Sequence, residues 1–297
     1  MGKVSRALNK ILAYNQDLEG VQGLGDVDSS GLDNPKLDEA RPEEMAAGVA
    51  GFAGPAPEVV AGIEGWDDKL VVFSDPSSTL SENFRLLRAQ ILYPPSGKPY
   101  KKILITSTMP GSGKSFVCAN LGISLAQGLD QHALLVDCDL RRSKLAAMFN
   151  CPTSRGLVNH LRDGEDLGRL IAKTGMRKLS LIPSGPQPAN PAELLGSAKV
   201  DRMFAELSSR YNDRFILIDT PPTQEASETA VLAQHVDGVV LVIRWGLGDR
   251  GPLKQLVDSL DQDKIIGVVF NAYTSSKLSV RLSGYDEYGQ FPGSYGK

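Results

Sequence analysis

The stretch that most constrains this chain is residues 102–115, KILITSTMPGSGKS. A short apolar run, 103–105, leads into a turn ending Gly111-Ser112-Gly113-Lys114-Ser115. Residues 116–127 then set small and apolar side chains at helical spacing. Strand, glycine-rich loop and helix in that order form the setting in which a phosphate-binding loop works. Glycines let backbone N–H groups converge on phosphate oxygens, and the helix N-terminus adds partial positive charge. Lys114 is placed to reach the β- and γ-phosphates, and the Ser115 hydroxyl to hold Mg²⁺. The strict pattern asks for glycine at position 108, where this chain has Thr108. The loop is a variant, and the variation needs a cause.

Two further apolar runs end in carboxylates. Residues 133–136 lead into Asp137-Cys138-Asp139-Leu140-Arg141-Arg142, and residues 215–218 into Asp219-Thr220-Pro221-Pro222. Such runs alternating with helices predict parallel strands, whose carboxyl ends carry the ligand site. Asp137 and Asp139, two apart in an extended segment, point to the same side. Asp219, beside the phosphate loop, supplies a second carboxylate on the magnesium side, and the prolines halt the strand. Strands are also expected at 179–182, 238–243 and 265–270, and helices at 77–93, within 156–173, at 199–210 and near 252–260, with 184–197 a loop. The expected fold is α/β, a mostly parallel central sheet flanked by helices in a phosphate-loop NTPase. In the helix at 77–93, Thr79 or Ser81 can cap the start, and Leu80, Phe84, Leu87 and Ile91 share one face. Glu82, Arg85 and Arg88 lie three apart on another face; by themselves such charges make a solvated face with weak pairing.

Outside this body the composition changes. Residues 1–15 carry Lys3, Arg6 and Lys10 and no acid, with Val4, Ala7, Leu8, Ile11 and Leu12 at amphipathic helical spacing. This helix either packs on its own domain or docks on a partner or an anionic membrane surface. Residues 16–68 hold 13 acids against two bases, and residues 16–65 hold nine glycines and four prolines. Such a segment cannot bury enough surface to offset ordering, and a tether is expected. The folded domain is drawn at 69–274. The tail, 275–297, ends YDEYGQFPGSYGK, which concentrates three of the chain's eight tyrosines. With no core to fill there, a peptide-like substrate or docking segment fits them better than packing. No apolar run approaches the roughly 18 residues of a membrane span, no leader is evident, and a cytoplasmic protein is expected. The three cysteines, Cys118, Cys138 and Cys151, lack metal-ligand spacing and are expected as packed thiols.

Taken together, these residues resemble the bacterial tyrosine kinases of capsule and exopolysaccharide export, in the form whose kinase is separate from its membrane partner. The likeness covers about residues 70–297. TSTMPGSGKS looks like that family's phosphate loop, which has Pro before Gly and lacks the leading Gly; this accounts for Thr108. LLVDCDLRR and FILIDTPP resemble its two further aspartate motifs, and SGPQPANPAELLGS and GVVFN (267–271) look like family segments. Glu82, Arg85 and Arg88 match the Glu-x-x-Arg-x-x-Arg pattern of the family's ring-shaped oligomer. The short tyrosine-bearing tail is similar to its autophosphorylation cluster.

The resemblance implies phosphoryl transfer from Mg·ATP to a tyrosine hydroxyl. Pro110, Gly111, Ser112, Gly113, Lys114, Ser115, Phe116 and Asn271 would bind nucleotide, and Ser115, Asp137 and Asp219 would hold Mg²⁺. Asp139 is the candidate for orienting or deprotonating the acceptor, whose pKa is about 10. The division of roles between Asp137 and Asp139 stays open, and Arg141 would neutralise charge on acceptor or phosphate. Tyr285, Tyr288 and Tyr295 are the candidate phosphorylation sites. Implied partners are a second copy in a ring, an octamer by resemblance, a membrane activator or polysaccharide co-polymerase recruiting the chain to the inner face of the membrane, and a cognate tyrosine phosphatase. No nucleic-acid partner is expected. Two other classes share the sheet and the aspartates: an ATP-dependent partitioning or septum-positioning switch, whose Lys-Gly-Gly loop start is absent here, and a non-catalytic nucleotide-binding scaffold, which would not need the tail.

Overall fold

A computed structural model describes residues 63–94, 97, 100–224, 228–245 and 250–272. The basic helix at 1–15, nearly all of the acidic segment and the tail tyrosines lie outside the described residues. In chain order the elements are α1 (Val71–Ser74), α2 (Thr79–Leu92), β1 (Lys102–Thr106), α3 (Lys114–Ala126), β2 (His132–Asp137), α4 (Leu145–Met148), α5 (Leu157–Asp163) and α6 (Leu167–Leu170). There follow β3 (Ala172–Lys173), β4 (Leu179–Ile182), α7 (Pro191–Leu195), α8 (Ala198–Arg210), β5 (Arg214–Asp219), α9 (Glu228–Gln234), β6 (Gly238–Arg244), α10 (Arg250–Ser259) and β7 (Ile265–Asn271).

The strands form one seven-stranded sheet in the order β3-β4-β2-β5-β1-β6-β7. Every pairing is parallel except β3 with β4. Because alternate residues of a strand face opposite ways, Ile103, Ile105, Leu135, Leu217, Val240 and Val242 turn to one side, into a core shared with α1 to α4. Leu104, Leu134, Val136, Ile216, Ile218 and Leu241 are as deeply buried outside that cluster, with Val200, Met203, Phe204 and Leu207 of α8. Burial on both faces is why these strands read as unbroken apolar runs. Helix α3 is buried almost throughout its length, as expected of a helix apolar on all sides.

Polar side chains stitch α1 and α2 onto α3. Asn120, fully buried in α3, accepts from the Val72 N–H at 3.0 Å and donates to the carbonyls of Lys69 and Phe116, each at 3.0 Å. Gln127 Nε2 donates to the Val72 carbonyl at 3.1 Å. Arg88 Nη1 donates to the Ser124 carbonyl at 2.6 Å, and Arg85 pairs with Glu82 at 2.7 Å. Folded packing also reaches further back than residue 69: Trp66 meets Phe73 and Phe149 edge-on, with centroids 4.9 and 5.0 Å away.

Several local expectations change. Helix α2 is capped by Ser78, whose Oγ accepts from the Ser81 N–H, rather than by Thr79 or Ser81. Ser81 instead spends its hydroxyl on the carbonyls of Asp75 and Val71, six and ten residues back and beyond the span of a capping pattern. Leu80, expected on the apolar face with Phe84 and Ile91, is 42% exposed. Residues 184–197 contain the short helix α7, opened by Pro191 at a position where a missing N–H costs nothing. Residues 228–234, unassigned from sequence, form α9.

Replacing Asn120 by Ala leaves the buried Val72 N–H and the half-buried Lys69 C=O without their partner. The loss expected is about 2–4 kcal/mol of unfolding free energy, read as a lower urea midpoint at unchanged slope.

Candidate active site

Register fixes the site. β1 is flanked by β5 and β6, and β5 by β2, with Ile105 opposite Asp219 and Asp219 opposite Asp137. The phosphate loop and both strand-end aspartates therefore emerge at the same level of the sheet. The loop's turn depends on Gly111 (φ +70°) and Gly113 (φ +94°). At Gly113 a Cβ would also stand 1.9 Å from Asn271 Nδ2, the group that donates to the Ser112 carbonyl at 2.9 Å. Thr108 is not among the described residues with positive φ, so its position makes no demand that only glycine could meet. Its carbonyl and that of Ser107 accept from the Gln224 and Thr223 N–H groups at 3.2 and 2.9 Å, tying the loop's start to the segment after β5. The loop's other side is held by Arg244, whose Nη1 donates to the Gly111 carbonyl at 3.1 Å.

Pro110, Gly111, Gly113, Lys114, Ser115 and Phe116 line one cleft of about 580 Å³, together with Asp139 and Asn271. Ser112 turns its hydroxyl back to the Met109 carbonyl at 2.8 Å, bracing the loop. A larger cavity, about 760 Å³, opens beside Lys102 and Asp237 at the opposite ends of the strands. The chemistry gathers at the carboxyl ends, where a parallel sheet places its ligands, so size does not locate the site.

The carboxylates differ in surroundings. Asp137 and Asp219 are fully buried, and Asp139 is nearly so but reaches the cleft. Asp137 Oδ2 accepts from Ser143 Oγ at 2.7 Å and Oδ1 from the Asp139 N–H at 3.1 Å. Asp139 Oδ1 accepts from the Arg142 N–H at 3.0 Å. Neither Asp219 oxygen has a hydrogen-bond partner of good geometry. Burial, reinforced by Asp139, pushes the Asp137 carboxyl up to about 7 despite the Ser143 bond. Burial and then Asp137 raise Asp219 well above the usual carboxylate range, opposed by the Ser115 hydroxyl and the Lys114 ammonium.

Arg141 is placed apart from the cleft lining. Its Nη2 lies 2.9 Å from Oε1 of Glu228, a carboxylate only 3% exposed at the start of α9. The pair links the Asp139 segment to the segment that follows Asp219. Ser143, Glu228 and Arg244 were not singled out from sequence. Ser143, six residues after Asp137, was the one within local reach. The cysteines are free and buried, as expected.

A family model described as the CobQ/CobB/MinD/ParA nucleotide binding domain matches residues 103–288. The chain is 34% identical over 223 residues to the putative tyrosine-protein kinase CapB of Staphylococcus aureus, covering 74% of this chain and 95% of that protein. The chain belongs to the bacterial tyrosine kinases. Similarity of 30% over 224 residues extends to the tyrosine-protein kinase YwqD of Bacillus subtilis, covering 75% and 90% of the two chains. Among solved structures, the chimerical protein CapA2B2 superposes with a TM-score of 0.64 at 30% identity, covering 73% of this chain and 95% of that one. The kinase domain of the Escherichia coli tyrosine kinase ETK gives 0.62 at 28%, covering 70% and 82%.

In a bacterial tyrosine kinase these residues suit a nucleotide and Mg²⁺. Positive-φ glycines shape the loop, and the orphaned buried oxygens of Asp219 call for a positive partner the chain itself does not bring into bonding contact. Among the described residues no cluster of three His, Cys, Asp or Glu side chains forms a preassembled metal cage. Mg²⁺ asks for one or two carboxylates, with phosphates and water completing its shell. No helix of the described residues is long and apolar enough to cross a membrane.

The buried carboxylates set a pH dependence. A carboxyl whose folded pKa exceeds its unfolded value, about 4, holds its proton more tightly when folded. Stability is therefore lost progressively as pH rises from that unfolded value through about 7. Without nucleotide, Asp137→Asn should lie nearest the parent's melting temperature at about pH 4 and gain on it up to about pH 7, a widening gap measurable by calorimetry.

Proposed function

We propose that this chain is an ATP-dependent protein-tyrosine autokinase that phosphorylates its own C-terminal tail and serves polysaccharide polymerisation and export. The observation that carries the reading is the meeting of Lys114, Ser115, Asp137, Asp139 and Asp219 at one end of the sheet, in a chain of the bacterial tyrosine kinases. Bound Mg²⁺ would neutralise charge on the phosphates, with Ser115, Asp137 and Asp219 as its holders. Lys114 and the loop N–H groups of Gly111 and Gly113 would orient the β- and γ-phosphates, with Asn271 and Arg244 keeping the loop in shape. Positioning and charge neutralisation are most of what such a transfer asks of a protein, because its transition state is loose. Asp139 is the carboxylate that both reaches the cleft and keeps an oxygen away from its Arg142 N–H bond, which suits it to receive the acceptor phenol's proton late in transfer. Asp137, opposite Asp219 across the β2–β5 ladder, suits the metal side. Arg141, engaged with Glu228, reads as a group that positions the Asp139 segment.

Glu82, Arg85 and Arg88 lie on α2, where Glu82 and Arg85 are exposed enough to meet a second copy. We assign them to a ring-shaped homo-oligomer within which one copy's tail enters the next copy's cleft. Each phosphate added to Tyr285, Tyr288 or Tyr295 contributes about −1.5 to −2 charge, and the resulting repulsion loosens the ring until a phosphatase resets it. The chain would act at the inner face of the membrane beside its activator.

Phosphotyrosine mapped on the full chain from its own cells should fall within residues 285–297 and vanish in Lys114→Met. Nucleotide hydrolysis without phosphotyrosine would instead indicate a switch ATPase. The Arg85→Ala, Arg88→Ala variant should elute as a monomer, with circular dichroism checking that it folds; an unchanged oligomer overturns the ring.

A further inference from the structure

The cleft carries more positive charge than phosphate binding uses. Five basic and two acidic side chains line it, a local balance of +3 (five minus two), while the whole chain is −3. Lys114 and Arg244 belong to the phosphate loop, the first by position and the second through its bond to Gly111. The other three, Lys69, Arg142 and Lys144, are exposed at the mouth. Arg142 follows closely on Asp139, its backbone N–H donating to Asp139 Oδ1, and it lines the same cleft. Lys69 has a 3.5 Å pairing with Asp67, but at 74% side-chain exposure that pairing holds little. Between them, Ala147 and Met148 give the cleft an apolar wall. A mouth of this kind fits a phenol ring flanked by carboxylates.

The chain contains such a segment. Tyr285-Asp286-Glu287-Tyr288 sets two acids between two tyrosines, whereas Tyr295, in Gly293-Ser294-Tyr295-Gly296, has no acidic neighbour. We propose that the basic mouth formed by Lys69, Arg142 and Lys144 selects acceptor tyrosines with adjacent carboxylates, so that Tyr285 and Tyr288 are favoured over Tyr295. The proposal rests on the autokinase reading and adds the substrate class. Charge complementarity of this sort sets choice and encounter more than raw affinity.

Site occupancy at the three tyrosines, measured by mass spectrometry on the full chain from its own cells, tests it. In the parent, Tyr285 and Tyr288 should be occupied ahead of Tyr295. Asp286→Asn with Glu287→Gln should lower their occupancy relative to Tyr295 by about five- to tenfold, the scale of two exposed ion pairs. Arg142→Glu with Lys144→Glu should do the same, and Asp286→Lys with Glu287→Lys in that background should restore the preference. A synthetic peptide of residues 283–290 should bind the purified protein more tightly than its Asn/Gln counterpart, with the difference lost in 1 M salt, where the screening length is about 3 Å. Unchanged ratios in the charge variants overturn the proposal while leaving the kinase intact. An equal fall at all three tyrosines also overturns it, because the mouth then serves nucleotide or folding. No phosphotyrosine at any site in the parent removes the autokinase reading itself.

Discussion

Asp137 and Asp219 stand opposite one another across the β2–β5 ladder, both fully buried. Two carboxylates so placed resist being charged together, and the rest of the site answers that problem. Ser143 and the Asp139 backbone stabilise one of them. Lys114 and Ser115, at the start of α3, bear on the other. The protein keeps this arrangement because seven paired strands and a buried helix hold the backbone in place; loosening the sheet would let the charges separate into water. A nucleotide-bound cation held there, as proposed, would relieve the cost of the buried charge.

A chain of smaller constraints leads outward from that pair. Gly113 is held to glycine by its φ of +94°, and Asn271, arriving from the far edge strand β7, also fills the space where a side chain would go. Arg244 at the end of β6 braces the same loop from beside it. The Arg141–Glu228 pair joins the segments that follow β2 and β5, and its buried carboxylate would be left uncompensated if the arginine were removed, a heavier penalty than any exposed ion pair carries. The loop geometry is thus shared among β1, β6, β7 and α3, and its rigidity comes from their packing.

Helix α2 has a double character. Its inner side is sewn to α3 through Arg88 and Ser124, and its outer side offers Glu82 and Arg85. Three charges spaced three apart look like a solvated face, and Glu82 stands so in a single copy, while Arg85 is half-buried, paired with Glu82 and donating to the Pro76 carbonyl. Arg88 differs, because its guanidinium helps hold α2 in place. An assembly built through this helix would therefore be reported directly to α3 and to the phosphate loop that begins it.

The strands, the phosphate loop and both strand-end aspartates were legible in the sequence because each is a local pattern: an unbroken apolar run, a glycine spacing, a charge where the run stops. Asn120, Ser143, Glu228 and Arg244 were not, since each matters through a partner distant in the fold or a carboxylate whose burial no local pattern reveals. Ser81 shows the same limit in reverse, as a plausible cap whose hydroxyl is claimed by Val71 and Asp75. Sequence alone determined the nucleotide-binding fold and marked KILITSTMPGSGKS, with Asp137, Asp139 and Asp219, as the proposed phosphate site, because residue type and spacing suit that chemistry. Only the tertiary structure decided that Asp137 is sealed while Asp139 faces the cleft, that Arg141 is engaged elsewhere, and that Thr108 replaces glycine without strain. Those outcomes depend on register, burial and backbone angle, which arise when distant segments pack and exist in no stretch of the chain by itself.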